Sequence, residues 1–201
     1  MRYLPLIALV VAALCQVNLF QVQVMATDFP IVGMQAPDFD LPDLSGQTHS
    51  LSEYLGRPLV INFWTTWCGA CTYEFPVLEE FKQEYADQVQ LITICAGTSK
   101  EDAVNTVKEK GVDFLVLYDD QQVISKAYQP PRAHDKRRVT AFPFSVFIDA
   151  DGLVVYARIG TFTDIDKMVS LLKESGFSIF APAASPSNDG QLIDQRKKAE
   201  K

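Results

Sequence analysis

The sequence predicts an α/β fold in which a mixed central sheet carries helices on both faces. Three apolar runs, typical of strands buried on both faces, alternate with helix-like segments and cover residues 59–64, 89–95 and 114–118. Two further runs, at 144–149 and 153–159, flank a turn-forming Ala-Asp-Gly and predict an antiparallel hairpin. Strands of both directions therefore share the predicted sheet, and a last helix over 164–173 closes the chain.

Length and composition indicate one domain with short additions at both ends. The chain has 201 residues, of which 48% are hydrophobic, so it can build a core. The net charge is −7 and no long basic block is present, which argues against nucleic-acid binding. We place the folded domain at residues 27–178. We expect residues 179–201, rich in proline, serine and asparagine and then in charges, to form a disordered tail.

The first 26 residues are predicted to be a signal peptide or an N-terminal membrane anchor. Arg2 precedes an apolar run over 3–14, and Val-Met-Ala at 24–26 offers a cleavage site. The run is short for a span of ~20 residues, which favours cleavage after Ala26 over an uncleaved anchor. A lipoprotein site at Cys15 is disfavoured by the bulk of Leu14. Either route brings the domain to a compartment that permits disulfides.

Short elements precede the first long strand. Apolar residues alternate with turn formers over 36–46, which predicts a small β-hairpin with its turn at Ser45-Gly46. Residues 51–55 predict one helical turn that ends at Gly56. Further along, 99–110 predicts a helix capped by a serine and ended by a glycine, and 122–128 predicts a short helix.

The helix behind the first strand has an inner face with three- and four-residue steps. The residues of this face are Cys71, Glu74, Phe75, Leu78, Phe81 and Tyr85. Pro76 interrupts the pattern, and we expect it to remove a backbone donor and to kink the helix. The kink would separate the first turn of the helix from the half that packs on the sheet.

Cys68 and Cys71 carry the predicted chemistry. They follow a strand and open a helix, the context in which C-x-x-C forms a dithiol/disulfide redox site. Amides and the dipole at a helix start stabilise negative charge, so we expect the pKa of Cys68 to lie below the ~8.5 of a free thiol. Cys71 lies one turn further, faces the interior and is placed to attack a mixed disulfide on Cys68.

A structural disulfide and half of a zinc site are the alternatives for this pair. Zinc usually takes a second ligand pair at similar spacing, and the chain has no second C-x-x-C and no H-x-x-H. Its only histidines are His49 and His134. The remaining thiol of the mature chain, Cys95, ends a predicted buried strand; it is expected to be an inert core thiol, with a resolving or regulatory role as the alternative.

These residues together resemble the thioredoxin superfamily, and within it the TlpA/ResA-type thiol-disulfide oxidoreductases of the bacterial cell envelope. The likeness covers most of the mature chain. It rests on Ala-Pro-Asp-Phe at 36–39, Asn-Phe-Trp-Thr-Thr-Trp-Cys-Gly-Ala-Cys at 62–71, Glu-Phe-Pro at 74–76, and Phe-Pro-Phe-Ser at 142–145 followed by Phe-Ile-Asp at 147–149.

The resemblance implies a thioredoxin-like three-layer fold with an extra N-terminal β-hairpin. It implies a protein-disulfide reductase of the envelope or periplasm that acts on oxidised thiol proteins, for example in cytochrome c maturation. A membrane electron donor of the CcdA/DsbD type would recharge it. The redox-active disulfide would be its only cofactor, no metal is expected, and the chain would be a monomer. A dithiol oxidase remains the alternative direction of electron flow.

Glu74 is the most informative residue outside the cysteine pair. It lies three positions after Cys71 and shares its helix face. A carboxylate there can accept the proton of Cys71 or relay it to solvent, and burial would raise its pKa. In thioredoxin itself a buried aspartate on the central strand has this task, whereas that position here is Asn62. The alternative is a solvated helix glutamate, like Glu79 or Glu84.

Five further positions complete the predicted substrate groove. Proline is the residue whose preceding peptide bond tolerates the cis form, and the resemblance implies a cis bond before Pro143, with Phe142 offering its backbone to the substrate. A trans proline at a strand start is the alternative. Trp67 is expected to shield the disulfide and to contact partners, whereas Trp64 is expected in the core. The spacer residues Gly69 and Ala70 differ from the spacers common in the family.

A basic connection precedes this proline. Residues 129–142 are longer than the usual family connection and carry Arg132, Lys136, Arg137 and Arg138. A solvated loop is one interpretation. The other is a docking site for an acidic partner, or a local field that favours the thiolate.

Two other functions are alternatives to disulfide exchange. Peroxiredoxins share the Ala-Pro-Asp-Phe opening, but their P-x-x-x-T-x-x-C signature is absent because Ile61 stands where the proline belongs. Copper delivery through both cysteines and His134 is the non-enzymatic alternative; copper-delivery members of the superfamily use C-x-x-x-C.

Overall fold

The structure is a computed structural model that describes residues 29, 31–129 and 140–177. The predicted leader, the predicted tail, His134 and the four basic residues of the 129–142 connection lie outside these residues.

Seven strands form two sheets in the described part of the chain. They are β1 Asp40–Pro42, β2 Thr48–Ser50, β3 Leu59–Trp64, β4 Gln90–Ala96, β5 Leu115–Asp119, β6 Phe144–Ile148 and β7 Val154–Ile159. The large sheet has the order β5-β4-β3-β6-β7. Strands β3, β4 and β5 are parallel to one another, β6 pairs antiparallel with β3, and β7 pairs antiparallel with β6. The predicted mixed sheet is confirmed.

Five α-helices and one 3₁₀ helix surround the sheet in the described residues. They are the 3₁₀ helix Leu51–Tyr54, α1 Gly69–Tyr73, α2 Phe75–Tyr85, α3 Lys100–Lys110, α4 Val123–Tyr128 and α5 Ile165–Glu174. None of these described helices has the length and apolar character that a membrane crossing requires.

The central strand β3 is buried along its whole length, and its side chains alternate between two cores. Val60 and Trp64 pack with helices α2, α3 and α5. Leu59, Ile61 and Phe63 pack on the other face with α4 and the N-terminal segment. Each large apolar side chain buried in this way contributes roughly 1.5–3 kcal/mol. The sheet is therefore the middle layer of three, as predicted.

The extra N-terminal hairpin is present and is made of β1 and β2. Its turn is organised by Asp43, whose Oδ1 accepts hydrogen bonds from the backbone N–H groups of residues 45, 46 and 47. Gly46 takes the positive φ of 101° that this turn needs. The hydroxyl of Tyr128 donates to the carbonyl of Pro37 and ties the segment before β1 to α4.

The effect of Pro76 differs from the prediction. Two separate helices meet at Glu74, which is the C-cap of α1 and the N-cap of α2. Pro76 lies in the first turn of α2, where a missing N–H costs nothing because helix starts leave those groups unpaired. The expected kink inside one helix is therefore wrong, and the break places Glu74 at a junction behind the cysteine turn.

The caps of α3 follow the sequence signals. The Ser99 hydroxyl accepts from the N–H of Asp102, and Gly111 ends the helix in the left-handed conformation. The helix predicted over 122–128 begins one residue later, at Val123, because Gln122 itself adopts a left-handed backbone with φ 55°.

Candidate active site

The two cysteines form a disulfide at the start of α1. Cys68 is the N-cap of this helix, and its Sγ accepts a hydrogen bond of 3.2 Å from the backbone N–H of Cys71. Cys68 is half-buried, whereas Cys71 has no exposed surface. An incoming group can therefore reach Cys68 alone, and the amide aimed at its sulfur stabilises negative charge there once the disulfide is reduced.

Trp67 directly precedes this disulfide turn in the chain. Its side chain is 69% exposed, and its ring meets the ring of Phe142 edge-on with centroids 6.1 Å apart. Trp64 is fully buried and its indole N–H donates to the Thr93 hydroxyl at 3.2 Å. The core position expected for Trp64 is confirmed, whereas the expected role of Trp67 as a shield and a partner contact stays a prediction.

The other predicted groove residues lie around the same turn. Gly69 and Ala70 are exposed, and the carbonyl of Ala70 accepts a hydrogen bond of 3.4 Å from the Thr161 hydroxyl. The peptide bond between Phe142 and Pro143 is cis, as the resemblance implied. Phe142 is half-buried and packs against both cores. Their predicted roles in binding substrate stay predictions.

Glu74 is completely buried, so a solvated surface glutamate is the wrong interpretation. Its Oε1 accepts a hydrogen bond of 2.8 Å from the amide of Asn62, and its Oε2 accepts one of 2.9 Å from the N–H of Phe162. Burial raises the pKa of Glu74 to about 7, although the two hydrogen bonds and the charge of Arg158 oppose the rise. The carboxyl group is thus poised to change protonation near neutral pH.

Asn62 positions this carboxyl group from the central strand. Its Nδ2 donates to Glu74 and also to the Ser145 hydroxyl at 3.0 Å, and both partners are buried. Asn62 on β3 and Ser145 on β6 are directly paired in the sheet register. Asn62 Oδ1 and Thr65 Oγ1 form no hydrogen bond within the described part of the chain. A small polar cluster therefore lies inside an otherwise apolar core.

Arg158 supplies a positive charge that acts on this cluster. Its guanidinium lies 4.9 Å from the ring centroid of Phe162, and its Nη2 donates to the carbonyl of Thr161 at 3.4 Å. Arg158 therefore both holds the loop whose amide binds Glu74 and lowers the pKa of that carboxyl group.

Sequence reasoning missed several of these contributors. Ser145, Arg158 and the amide of Phe162 could not be assigned to this cluster from local patterns. Ser145 reaches Asn62 only through the pairing of β3 with β6, and Arg158 and Phe162 reach Glu74 only through β7 and the loop after it. For Asn62 the resemblance indicates only that an amide stands where thioredoxin has an aspartate. A buried asparagine in a run of apolar strand residues is the one signal that pointed here, since buried polar groups need partners.

The remaining candidates take no part in the site. Cys95 is free and buried, and burial raises its pKa to about 12, which leaves it a neutral thiol at physiological pH. Glu79 is not simply solvated, because its Oε1 accepts from the backbone N–H groups of Asp113 and Phe114. Among the described residues, no group of three or more His, Cys, Asp and Glu side chains could hold a metal ion.

The fold and the cysteine turn define a thiol-disulfide oxidoreductase built on the thioredoxin fold. Solved structures share the architecture: a thiol:disulfide interchange protein DsbE homologue from Chlorobium tepidum matches with a TM-score of 0.62 and 24% identity, over 75% of this chain and 98% of that one. A thioredoxin-like protein from Neisseria meningitidis matches with a TM-score of 0.57 and 26% identity, over 70% and 89% of the two chains.

The chain belongs to the Redoxin family, whose profile matches residues 31–176. It is similar to the thiol-disulfide oxidoreductase ResA of Geobacillus kaustophilus, with 33% identity over 145 residues that cover 71% of this chain and 78% of that protein. ResA of Bacillus subtilis is 32% identical over 144 residues, with coverages of 70% and 75%. The resemblance to ResA-type enzymes drawn from the motifs is confirmed.

Proposed function

We propose that this protein reduces disulfides of exported proteins through a Cys68–Cys71 dithiol, with Glu74 as the proton acceptor of the second step. The observation that carries the proposal is the arrangement along the short helix α1. A half-exposed sulfur stands at the helix start, a buried sulfur lies one turn below, and a buried carboxyl group with a pKa of about 7 follows at the junction.

The first step is attack by the Cys68 thiolate on a substrate disulfide. A bond forms between Cys68 Sγ and one substrate sulfur, and the other substrate sulfur leaves as a thiolate that takes up a proton from solvent. The amide of Cys71, which donates to Cys68 Sγ in the oxidised form, is in place to stabilise the attacking thiolate. The proposed groove for the substrate chain is formed by Trp67, Gly69, Ala70, Phe142 and Pro143.

The second step releases the reduced substrate. The Cys71 thiol gives its proton to Glu74, directly or through solvent, and the resulting thiolate attacks Cys68 Sγ. The mixed disulfide breaks, the substrate leaves with both sulfurs reduced, and the Cys68–Cys71 disulfide forms. Two electrons have moved from the protein to the substrate, and an external dithiol donor must return them; the ResA-type resemblance suggests a membrane donor of the CcdA/DsbD type.

The same resemblance suggests oxidised apocytochrome c as a substrate, and therefore a C-x-x-C-H peptide as a probe. We expect the reduced protein to convert an oxidised C-x-x-C-H peptide to its dithiol. The Cys71→Ser variant should hold the peptide as a mixed disulfide on Cys68, visible as an added mass. The Cys68→Ser variant, the matched control, should retain no peptide.

Three results would contradict the proposal. Faster consumption of hydrogen peroxide than of the peptide disulfide by the reduced protein would favour a peroxidase. Equal trapping by the Cys71→Ser and Cys68→Ser variants would mean that the exposed sulfur is not the nucleophile. Stoichiometric Cu(I) retention on both cysteines would instead support metal delivery.

Location and domain limits belong to the same proposal. Residues 1–26 would export the domain, or tether it, in the cell envelope, and residues 27–178 would form the catalytic unit. Fusion of residues 1–26 to a reporter enzyme that is active only after export tests the first part. An inactive reporter would contradict it.

A further inference from the structure

Two glutamines at the ends of α4 bind the chain just before Phe142. Gln122 Oε1 accepts a hydrogen bond of 2.8 Å from the Thr140 hydroxyl. Gln129 Oε1 accepts one of 2.9 Å from the N–H of Ala141, and its Nε2 donates one of 3.2 Å to the carbonyl of the same residue. The Gln129 amide therefore satisfies both backbone groups of Ala141, as a neighbouring strand would do.

Gln122 has an unusual backbone for this task. It is the only non-glycine residue with positive φ in the described ranges 29, 31–129 and 140–177. A left-handed conformation is unfavourable for a residue with a Cβ, and such outliers persist where the surrounding structure holds them. Its side-chain amide lies against Gly97, where an added Cβ would come within 1.9 Å of Nε2. The backbone conformation and the absent side chain at residue 97 together allow this placement of the amide.

The bound segment is linked to the cysteine turn through Phe142 and Trp67. Phe142 follows Ala141 directly, and its ring contacts the ring of Trp67, the neighbour of Cys68. On the other side, the Thr66 hydroxyl forms a hydrogen bond of 2.8 Å with that of Thr98, which follows Gly97. Contacts thus run in a closed ring from the cysteine turn through α4 and back to Trp67.

We propose that Gln122 and Gln129 are positioning residues that hold residues 140–142 against Trp67. They thereby fix one wall of the groove through which a protein disulfide reaches Cys68. This inference rests on the proposed reductase function, because it concerns the approach of a chain rather than of a small molecule. A reagent much smaller than a peptide needs only Cys68 Sγ and does not use this wall.

The test compares a peptide disulfide with a small disulfide. Reduced Gln122→Gly, Gln129→Ala and the double variant are mixed with an excess of oxidised C-x-x-C-H peptide or with dithiobis-nitrobenzoate, and single-turnover rates are recorded. Glycine at 122 keeps the left-handed backbone and removes only the side chain. We expect the half-saturating peptide concentration to rise about fivefold in each single variant and roughly 5- to 30-fold in the double variant, with the small-disulfide rate unchanged.

Controls separate positioning from stability. Gln121→Ala removes a neighbouring exposed glutamine whose amide binds Asp120, and it should behave like the wild type in both reactions. Thr140→Val keeps the shape of residue 140 without its hydroxyl and leaves α4 untouched; it should reproduce the effect of Gln122→Gly. This variant keeps the inference testable if a change within α4 prevents folding.

Two outcomes would overturn the inference. Unchanged peptide saturation in the glutamine variants would show that the wall does not depend on them. A parallel loss in the peptide and small-disulfide reactions would indicate a general structural role. If the wild type itself fails to reduce the peptide while it reacts with the small disulfide, the proposed function fails instead.

Discussion

Asn62 on the central strand donates a hydrogen bond of 2.8 Å to Glu74 at the junction of α1 and α2, and both residues are fully buried. This contact joins the sheet to the residue that lies one turn beyond Cys71. The titratable carboxyl group of the site therefore sits at the junction of the two helices. The strand contributes an uncharged amide that orients this carboxyl group.

Replacement of Glu74 by glutamine should slow the second step of disulfide exchange. Glutamine has a similar shape but cannot accept the proton of Cys71, and a positioned acid or base contributes roughly 10²-fold or more to a proton-transfer step. In the wild type we expect the rate of peptide release to rise through the pKa of about 7 and then level off. The variant should lose this inflection between pH 6 and 9. Stopped-flow release of the peptide measures both effects, and an unchanged pH profile would remove Glu74 from the mechanism.

The same carboxyl group should make stability depend on pH. Its folded pKa of about 7 lies above the ordinary value of 4.5, so between these pH values the folded protein binds more protons than the unfolded chain. The free energy of unfolding contributed by this group should therefore fall as pH rises from 4.5 to 7, by on the order of 3 kcal/mol, and then level off. The difference between the wild type and Glu74→Gln in urea unfolding, measured at several pH values, isolates this contribution. A constant difference would contradict it.

Removal of the positive charge of Arg158 should shift the pH profile upward. Arg158 lowers the pKa of Glu74, and its guanidinium packs on Phe162, whose N–H binds the carboxylate. We expect Arg158→Met to move the inflection of peptide release to higher pH. Arg158→Lys retains the charge and should move it less. Identical inflections in the wild type and Arg158→Met would show that the charge is fully screened.

The amide of Asn62 should contribute more to the free energy of unfolding than the hydroxyl of Ser145 does. Asn62→Leu leaves the buried carboxylate without one of its two donors, which costs roughly 1–3 kcal/mol, whereas Ser145→Ala removes a single neutral hydrogen bond worth about 1 kcal/mol. Urea unfolding at pH 8, where Glu74 is mostly ionised, gives both values. The difference in unfolding free energy between Asn62→Leu and Ser145→Ala should narrow at pH 5, where the carboxyl group of Glu74 is mostly protonated. An equal cost at both pH values would argue against a charged partner.

Trp67 should matter for peptide substrates and hardly at all for stability. Its side chain is 69% exposed, and Tyr73 at the end of the following helix α1 is 68% exposed, which makes Tyr73→Ala a matched control for loss of a surface aromatic ring. We expect Trp67→Ala to raise the half-saturating peptide concentration about fivefold or more, since surface aromatic anchors are frequent hot spots. The midpoint of unfolding should stay near that of the wild type in both variants. Equal effects of the two substitutions on peptide saturation would remove Trp67 from the groove.

Local patterns in the sequence were sufficient for the fold class and for the centre of the site. The apolar runs predicted the strands, and the three-residue spacing from Cys71 to Glu74 predicted a buried carboxyl group on the inner helix face. These inferences succeeded because strand burial and helix periodicity depend on residues close together in the chain.

The distant partners of Asn62 and Glu74 could not be predicted in the same way. Ser145 and Phe162 lie more than 80 residues from the strand and helix residues that they serve, and their positions depend on strand register and on one loop conformation. Pro76 shows the same limit on a smaller scale. The sequence predicted a disturbance there, but only the three-dimensional packing decides between a kink and two separate helices.

The paired amide of Gln129 and backbone of Ala141 also bears on how this enzyme can diversify. The contact brings residues 129 and 141 together, so the connection between them begins and ends at two neighbouring points of the domain. Doubling the length of such a connection costs only about 0.6 kcal/mol in closure entropy. Evolution or a designer can therefore change the length of this connection at little cost in folding free energy, while Cys68 and Cys71 keep their surroundings.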